Sequence, residues 1–346
     1  MTGGVAVAQV DPLSGIDFVT ITSPGNAAWG GNGSAQDQAV GRGRVDYEYR
    51  IGKFEVTTSQ WAEFMNAAFD RPQSEWISHL LPPGQWGAAG TTPNTPGGRR
   101  WFVPAGNEMR GVGGIDWRMA AIYCNWLHNN KSLDRSAFLS GAYDVSTFAY
   151  VQSGPFTVFT DQRTRSEGAR YFIPTWDEWL KAAHYDPNKA NNDGTTGGWW
   201  LYSNSSDVRF VPGPPGELVN GQLATANFGF QNAGDLSCWS VPLGSYAGVQ
   251  SPWGLVDTAG MTQEWTEEAL GSSLIGAQAR RWEGSSWGDN PAVYLADSVS
   301  YGGGSEFPTL NFSSNGFRVA AVVPVSGTLI SVLVGAVLVT SRRRMK

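Results

Sequence analysis

Cysteine and histidine are scarce in this chain. Among 346 residues there are two cysteines, Cys124 and Cys238, and three histidines, His79, His128 and His184. Two cysteines cannot build a disulfide framework or a cysteine zinc site. They leave open a single bridge or two separate buried thiols. His79 has no partner at ligand spacing in "SEWISHLLPPGQW". His128 and His184 fall late in helical patterns and read as solvated or helix-terminal residues near the C-terminal dipole. No histidine metal set is expected. Charge is also thin, at 16% of residues, with a net of -6. Four of the 24 basic residues stand in the last five positions, so the body carries 20 bases against 30 acids. An acidic body excludes nucleic acid as the main partner, since phosphate binding needs a basic surface. No serine-histidine triad, phosphate loop or paired-carboxylate spacing is present.

Glycine, tryptophan and proline are plentiful, at 44, 16 and 19 residues. Such glycine and proline density implies many turns and long irregular segments. Tryptophan supplies the core volume that short elements cannot, and core filling is its plainest role. Three helices are marked by their caps. Thr57-Thr58-Ser59-Gln60 forms a capping box, with Trp61, Phe64, Met65 and Ala68 following at helical spacing. Asp116 caps "WRMAAIYCNWLHNN", and Thr175-Trp176-Asp177-Glu178 opens "WLKAAHYDP", which Pro187 is expected to terminate. Strands are expected at Val45–Lys53, Phe156–Thr160, Tyr171–Ile173 and Phe317–Val323. Asn188 to Gly260 reads mostly as loop, too long for an ordinary connection. The reading is α+β, with short strands, a few amphipathic helices and a hydrophobic helix at the C-terminus.

The two ends differ from the body. Residues 324–346 read "PVSGTLISVLVGAVLVTSRRRMK", with an apolar stretch from Thr328 to Thr340 and three arginines after it. As a helix it spans about 20 Å, shorter than a bilayer core usually requires. It lacks the polar face of a buried helix, and the arginines act as a stop on the cytoplasmic side. This tail resembles a PEP-CTERM sorting signal, although "PVSG" stands where the usual Pro-Glu-Pro signature would be. The resemblance implies export, an exosortase-type processing partner, and initial membrane anchoring through residues 328–340. Residues 1–10 read as the remnant of a signal peptide, with "AVA" at Ala6 to Ala8 as its cleavage site and the true start further upstream.

The body, residues 11–323, resembles the formylglycine-generating enzyme family, also called the sulfatase-modifying factor domain. The segments that carry the resemblance stand in order: "YEYRIGKFEVTTSQWAEFMNA", "GGIDWRMAAIYCNWL", "YFIPTWDEWLKAAHYDP", "SPWGLVDTAGMTQEW", "RRWEGSSW" and "NGFRVA". The resemblance implies a loop-rich variant of the C-type-lectin fold, and its sorting tail points to a surface-protein branch. Catalytic members oxidise a substrate cysteine to formylglycine with Cu(I) held between two cysteines, soft ligands that suit this ion. Aligned on "EGSSW", those positions hold Asp289 and Tyr294. A carboxylate and a phenol do not hold Cu(I), so copper is not expected.

The resemblance places Ser286, Asp289, Tyr294 and Arg318 around the family pocket. Asp289-Asn290-Pro291 also reads as a simple turn, and Arg318 as a structural fork satisfying buried carbonyls or carboxylates. The family binds structural Ca²⁺ through hard oxygens. Its segment falls on Asn227, the Phe228 carbonyl and Asp235, which read equally as turn residues. A further family site keeps Glu264 in "GMTQEW" but has Met261 in place of an asparagine. The expectation is an exported, surface-sorted, non-catalytic module for glycan, matrix polymer or protein. A family enzyme with altered chemistry, oxidase or non-haem iron, is the alternative.

Overall fold

The computed structural model describes residues 9–91, 100–227, 238–271, 279–289, 297–301 and 303–324. Helix α1, Thr58–Phe69, begins at a reciprocal capping box. The Thr57 hydroxyl accepts from the Gln60 amide at 3.3 Å, and Gln60 Oε1 accepts from the Thr57 amide at 3.0 Å. Helix α2, Trp117–His128, starts where Asp116 accepts from the Met119 amide at 2.8 Å. Its residues Trp117 to Leu127 are all buried, so α2 is enclosed on every side rather than amphipathic. A single turn, α3, covers Ser136–Leu139. Helix α4, Trp176–His184, carries the second capping box, Thr175 with Glu178.

Two sheets organise the body. In the five-stranded sheet the order is Gln9–Val10, Asp17–Ile21, Tyr49–Gly52, Ala320–Val322, Tyr171–Phe172, all antiparallel. The first and last parts of the domain therefore pair directly, Ile51 opposite Ala320. In the four-stranded sheet the order is Gly304–Glu306, Ala279–Glu283, Gln263–Leu270, Asn315–Gly316, the last pair parallel. Between the helices and the first sheet lies an aromatic core. Trp61 stacks on Tyr123 at 5.4 Å between centroids, Phe64 meets Tyr123 edge-on at 5.1 Å, and Phe317 closes on Tyr123 at 5.7 Å. Offset and edge-to-face pairs of this kind add to the area they bury.

Several expectations need correction. The strand expected at Val45–Lys53 forms only over Tyr49–Gly52, because the Asn26 side chain takes the Val45 amide and holds the preceding residues as a loop. The strand expected at Phe317–Val323 is Ala320–Val322; the carbonyls of Phe317 and Val319 accept instead from Val56 and Gly52. Pro187 does not end α4. The helix stops at His184, and Pro187 lies inside the strand Tyr185–Ala190, which hairpins onto Thr196–Trp199. A two-stranded ribbon has free edges, where a missing N–H is tolerated. His184 is helix-terminal but not solvated: it is 2% exposed, and burial pushes its imidazole down to about 3. Cys124 is a free thiol in the core, raised well above its ordinary range by burial. Among the described residues no helix is long and apolar enough to cross a membrane. The hydrophobic stretch 328–340 and residues 1–8 lie outside the described residues.

Candidate functional site

The glycine-serine turn follows directly from the strand Ala279–Glu283. Gly284 has φ +76°, and a Cβ there would stand 3.0 Å from the Thr258 carbonyl, so the chain can turn here only with glycine. Ser285 is fully buried and its hydroxyl accepts from the Gly260 amide at 2.9 Å. Gly260 in turn packs on Asn227: a Cβ at φ +79° would lie 2.4 Å from the Asn227 carbonyl oxygen. That carbonyl accepts from the Met261 amide at 3.1 Å, and the Met261 carbonyl accepts from Trp287 at 3.0 Å. Thus the Asn227 region, the 260–261 corner and the turn are one hydrogen-bonded unit. Trp287 is buried with its ring edge over Gly113, where a Cβ would come within 2.5 Å.

Asp289 closes this turn. Its Oδ2 accepts from the Ser286 amide at 2.6 Å, and its own amide donates to the Ser286 carbonyl at 3.1 Å. Gln263 Nε2 lies 3.4 and 3.5 Å from the two carboxylate oxygens. Burial raises the Asp289 carboxyl above the usual range, against the hydrogen bonds from Ser286 and Gln263. Ser286 and Asp289 therefore stand together in one turn, with Gln263 as a third member. Gln263 carries no sequence signal, since it sits beside Glu264 in "GMTQEW" and is neither titratable nor a usual ligand. Tyr294, Phe228 and Asp235 lie outside the described residues.

Arg318 goes elsewhere. Its guanidinium forms a bidentate pair with Glu264, both distances 2.5 Å, and also donates to the carbonyls of Gly52, Lys53 and Val256. Arg318 is fully buried and Glu264 1% exposed. Glu264 Oε2 also accepts from Trp179 Nε1 at 2.9 Å, so both its oxygens are committed. Gln263 and Glu264 are consecutive in one strand and their side chains leave on opposite faces. Arg318 is thus on the far side of that strand from Asp289. Asn227 is fully buried and donates from Nδ2 to Met261 Sδ at 2.7 Å.

A second polar network lies deeper. Glu267 accepts from the Tyr143 hydroxyl at 2.9 Å and the Arg165 amide at 2.6 Å, while Arg165 forks onto Glu178 at 2.8 and 3.1 Å. Burial raises Glu267 to about 7. Glu178 does double duty, as capping-box partner of α4 and as the Arg165 acceptor.

A loop-rich α+β body with short sheets, whose glycine-serine turn is locked between Gly260 and Asp289, defines the formylglycine-generating-enzyme-like class. The chain belongs to that family: the model of the sulfatase-modifying factor enzyme 1-like domain matches residues 7–323. Solved structures similar to it include CarF, 19% identical with TM-score 0.52 over 89% of this chain and 98% of that one. Treponema denticola variable protein 1 is 17% identical with TM-score 0.53, over 92% of this chain and 99% of that one. At these identities the likeness is one of fold. No curated protein matches the chain.

Proposed function

We propose that this chain is a non-catalytic binding module of the family, exported and sorted to the cell surface or outer envelope, which engages a glycan, matrix polymer or protein. The observation that carries the reading is the state of Asp289. The resemblance puts a copper-binding thiolate at this position; here a hard carboxylate stands there, spent on the Ser286 amide and on Gln263. Cu(I) prefers soft sulfur ligands, so these residues do not fit that ion. A hydrogen-bonded Asp–Gln–Ser corner suits hydroxyl-rich or amide ligands instead. The tail at 324–346, through its hydrophobic stretch 328–340, supplies the membrane anchor and the exosortase-type processing signal in this reading.

A structural Ca²⁺ belongs to the same proposal. Asn227 supplies a buried hard donor in the unit that holds the turn, with the Phe228 carbonyl and Asp235 completing the set. Glu264 fits less well, since Arg318 and Trp179 already take its oxygens. Metal analysis of the purified chain, with oxygen uptake measured on a cysteine-containing peptide, tests the reading. Calcium alone, with EDTA lowering the melting temperature, is expected. Stoichiometric copper or iron with thiol-dependent oxygen consumption overturns it in favour of the altered enzyme. If chelator has no effect, the calcium assignment falls and the binding reading stands.

A further inference from the structure

A cavity of about 270 Å³ opens at the start of α1, on residues separate from the Ser286–Asp289 turn. Three of its lining residues carry carboxyls, Asp17, Glu55 and Glu108, and three are apolar, Ile16, Phe54 and Met109. Lysine, arginine and histidine are absent from the lining. A helix start ordinarily favours an anion. Here the donors are already spent: the amides of Thr58 and Ser59 bond the Arg110 and Glu108 carbonyls, and those of Thr57 and Gln60 close the capping box. What faces a ligand is therefore acceptor-rich and apolar.

Glu55 supplies the independent observation. It is 2% exposed; its Oε1 accepts from the Thr262 amide at 3.1 Å, while its buried Oε2 has no hydrogen-bond partner among the described residues. Gly111 lies on the inner side of that oxygen, where a Cβ would stand 3.1 Å from it and 3.5 Å from Met261 Cε. A buried acceptor left bare is costly, and a cationic donor satisfies it best. Phe54 already shows the matching preference, with the Lys53 ammonium 5.4 Å from its ring centroid. Among the described residues no three histidine, cysteine or acidic side chains gather as a metal would require. The dispersed carboxyls and hydrocarbon walls suit an organic cation.

We infer that this cavity binds the alkylammonium group of a small organic cation, with Glu55 as its buried acceptor and Ile16, Phe54 and Met109 around its hydrocarbon stem. Burial pushes the Glu55 carboxyl up and Glu264 beside it adds to the rise, while Arg318 and Thr262 oppose it. The incoming ammonium replaces the proton of Glu55, which leaves to solvent, so binding tightens as pH rises. Neither copper chemistry nor the Asp289 corner enters this inference.

Calorimetric titration of the full chain with n-butylammonium tests it. Saturable binding at one site is expected, at least tenfold weaker in Glu55→Gln and at pH 5 than at pH 8. Tetramethylammonium, which has no N–H to donate, is expected to bind at least tenfold more weakly. Ser59→Trp fills the cavity from its exposed lip and serves if Glu55→Gln fails to fold; it is expected to abolish binding. Putrescine and Nα-acetyl-lysine amide then separate a free amine from a protein-borne lysine. No saturable binding, unchanged affinity in either variant, or Ca²⁺ competing for the site on equal terms overturns the inference.

Discussion

The two faces of the strand Gln263–Leu270 do different work. On one, Glu264 is locked by Arg318 and Trp179, and Arg318 itself gathers carbonyls from two other segments, Gly52-Lys53 and Val256. On the other, Gln263 meets Asp289 through long contacts at the rim of a turn. The first face joins the two sheets and the loop at Val256 into one body. The second face carries the position where the family resemblance puts a ligand for copper. The frame is thus under strong constraint, while the corner beside it is held by weaker contacts.

That contrast can be broken most severely at Arg318. Arg318→Met leaves the Glu264 carboxylate buried without its partner, and loss of one member of a buried pair costs about 3–5 kcal/mol. Urea denaturation is expected to show that loss, or the variant will not accumulate as folded protein. A near-neutral result would mean that the pair does not hold the sheets together. Next in size is Asp289→Ala, which strips the acceptor from the Ser286 amide; about 1–2 kcal/mol is expected for a buried donor left bare. A loss as large as that at Arg318 would erase the distinction between the two faces. Thr175→Ala, at the α4 cap, is expected to cost about 1 kcal/mol by the same measurement.

Acid sharpens the comparison from another side. Burial raises Asp116, Glu267 and Asp297 to about 7 and Asp257 to about 6, and it raises Asp289 at the rim as well. A carboxyl whose folded value is raised contributes stability that is present below its unfolded value near 4 and is lost as pH rises through 6 to 7. His184 acts oppositely: depressed to about 3, it favours the folded state as pH rises toward 6.5. These raised carboxyls outweigh one imidazole, so the melting temperature is expected to be higher at pH 5 than at pH 7.5. Glu267→Gln is expected to shrink that difference. A melting temperature that falls on acidification would show that these acids are ionised in the folded protein.

The local parts of this molecule were legible from sequence, and the distant pairings were not. Capping boxes at Thr57 and Thr175 and the Asp116 cap emerged as read, because each is a contact three residues long. The order of the family segments fixed the larger plan. Arg318 reads as a buried fork, but its partner Glu264 is not legible, since nothing in "GMTQEW" says which face of the strand each residue takes. Asp289 read as either pocket or turn; its bond to the Ser286 amide makes it the clasp of the turn itself. Pro187 misled because a proline after a helical pattern usually ends it, while here a ribbon edge accepts it. Glu55 carries no signal inside "KFEVT", where a lone acid between Phe54 and Val56 gives no spacing to mark it.

The antiparallel pairing of Tyr49–Gly52 with Ala320–Val322 has a kinetic consequence. Closing that ladder brings together segments from nearly opposite ends of the domain, and such non-local pairing slows folding. During synthesis the five-stranded sheet has to wait for its fourth strand until almost the whole domain has been made. Until then Tyr49–Gly52 presents an unpaired edge on that side, open to the wrong neighbour. The sequence after the ladder therefore follows directly on the last event of assembly.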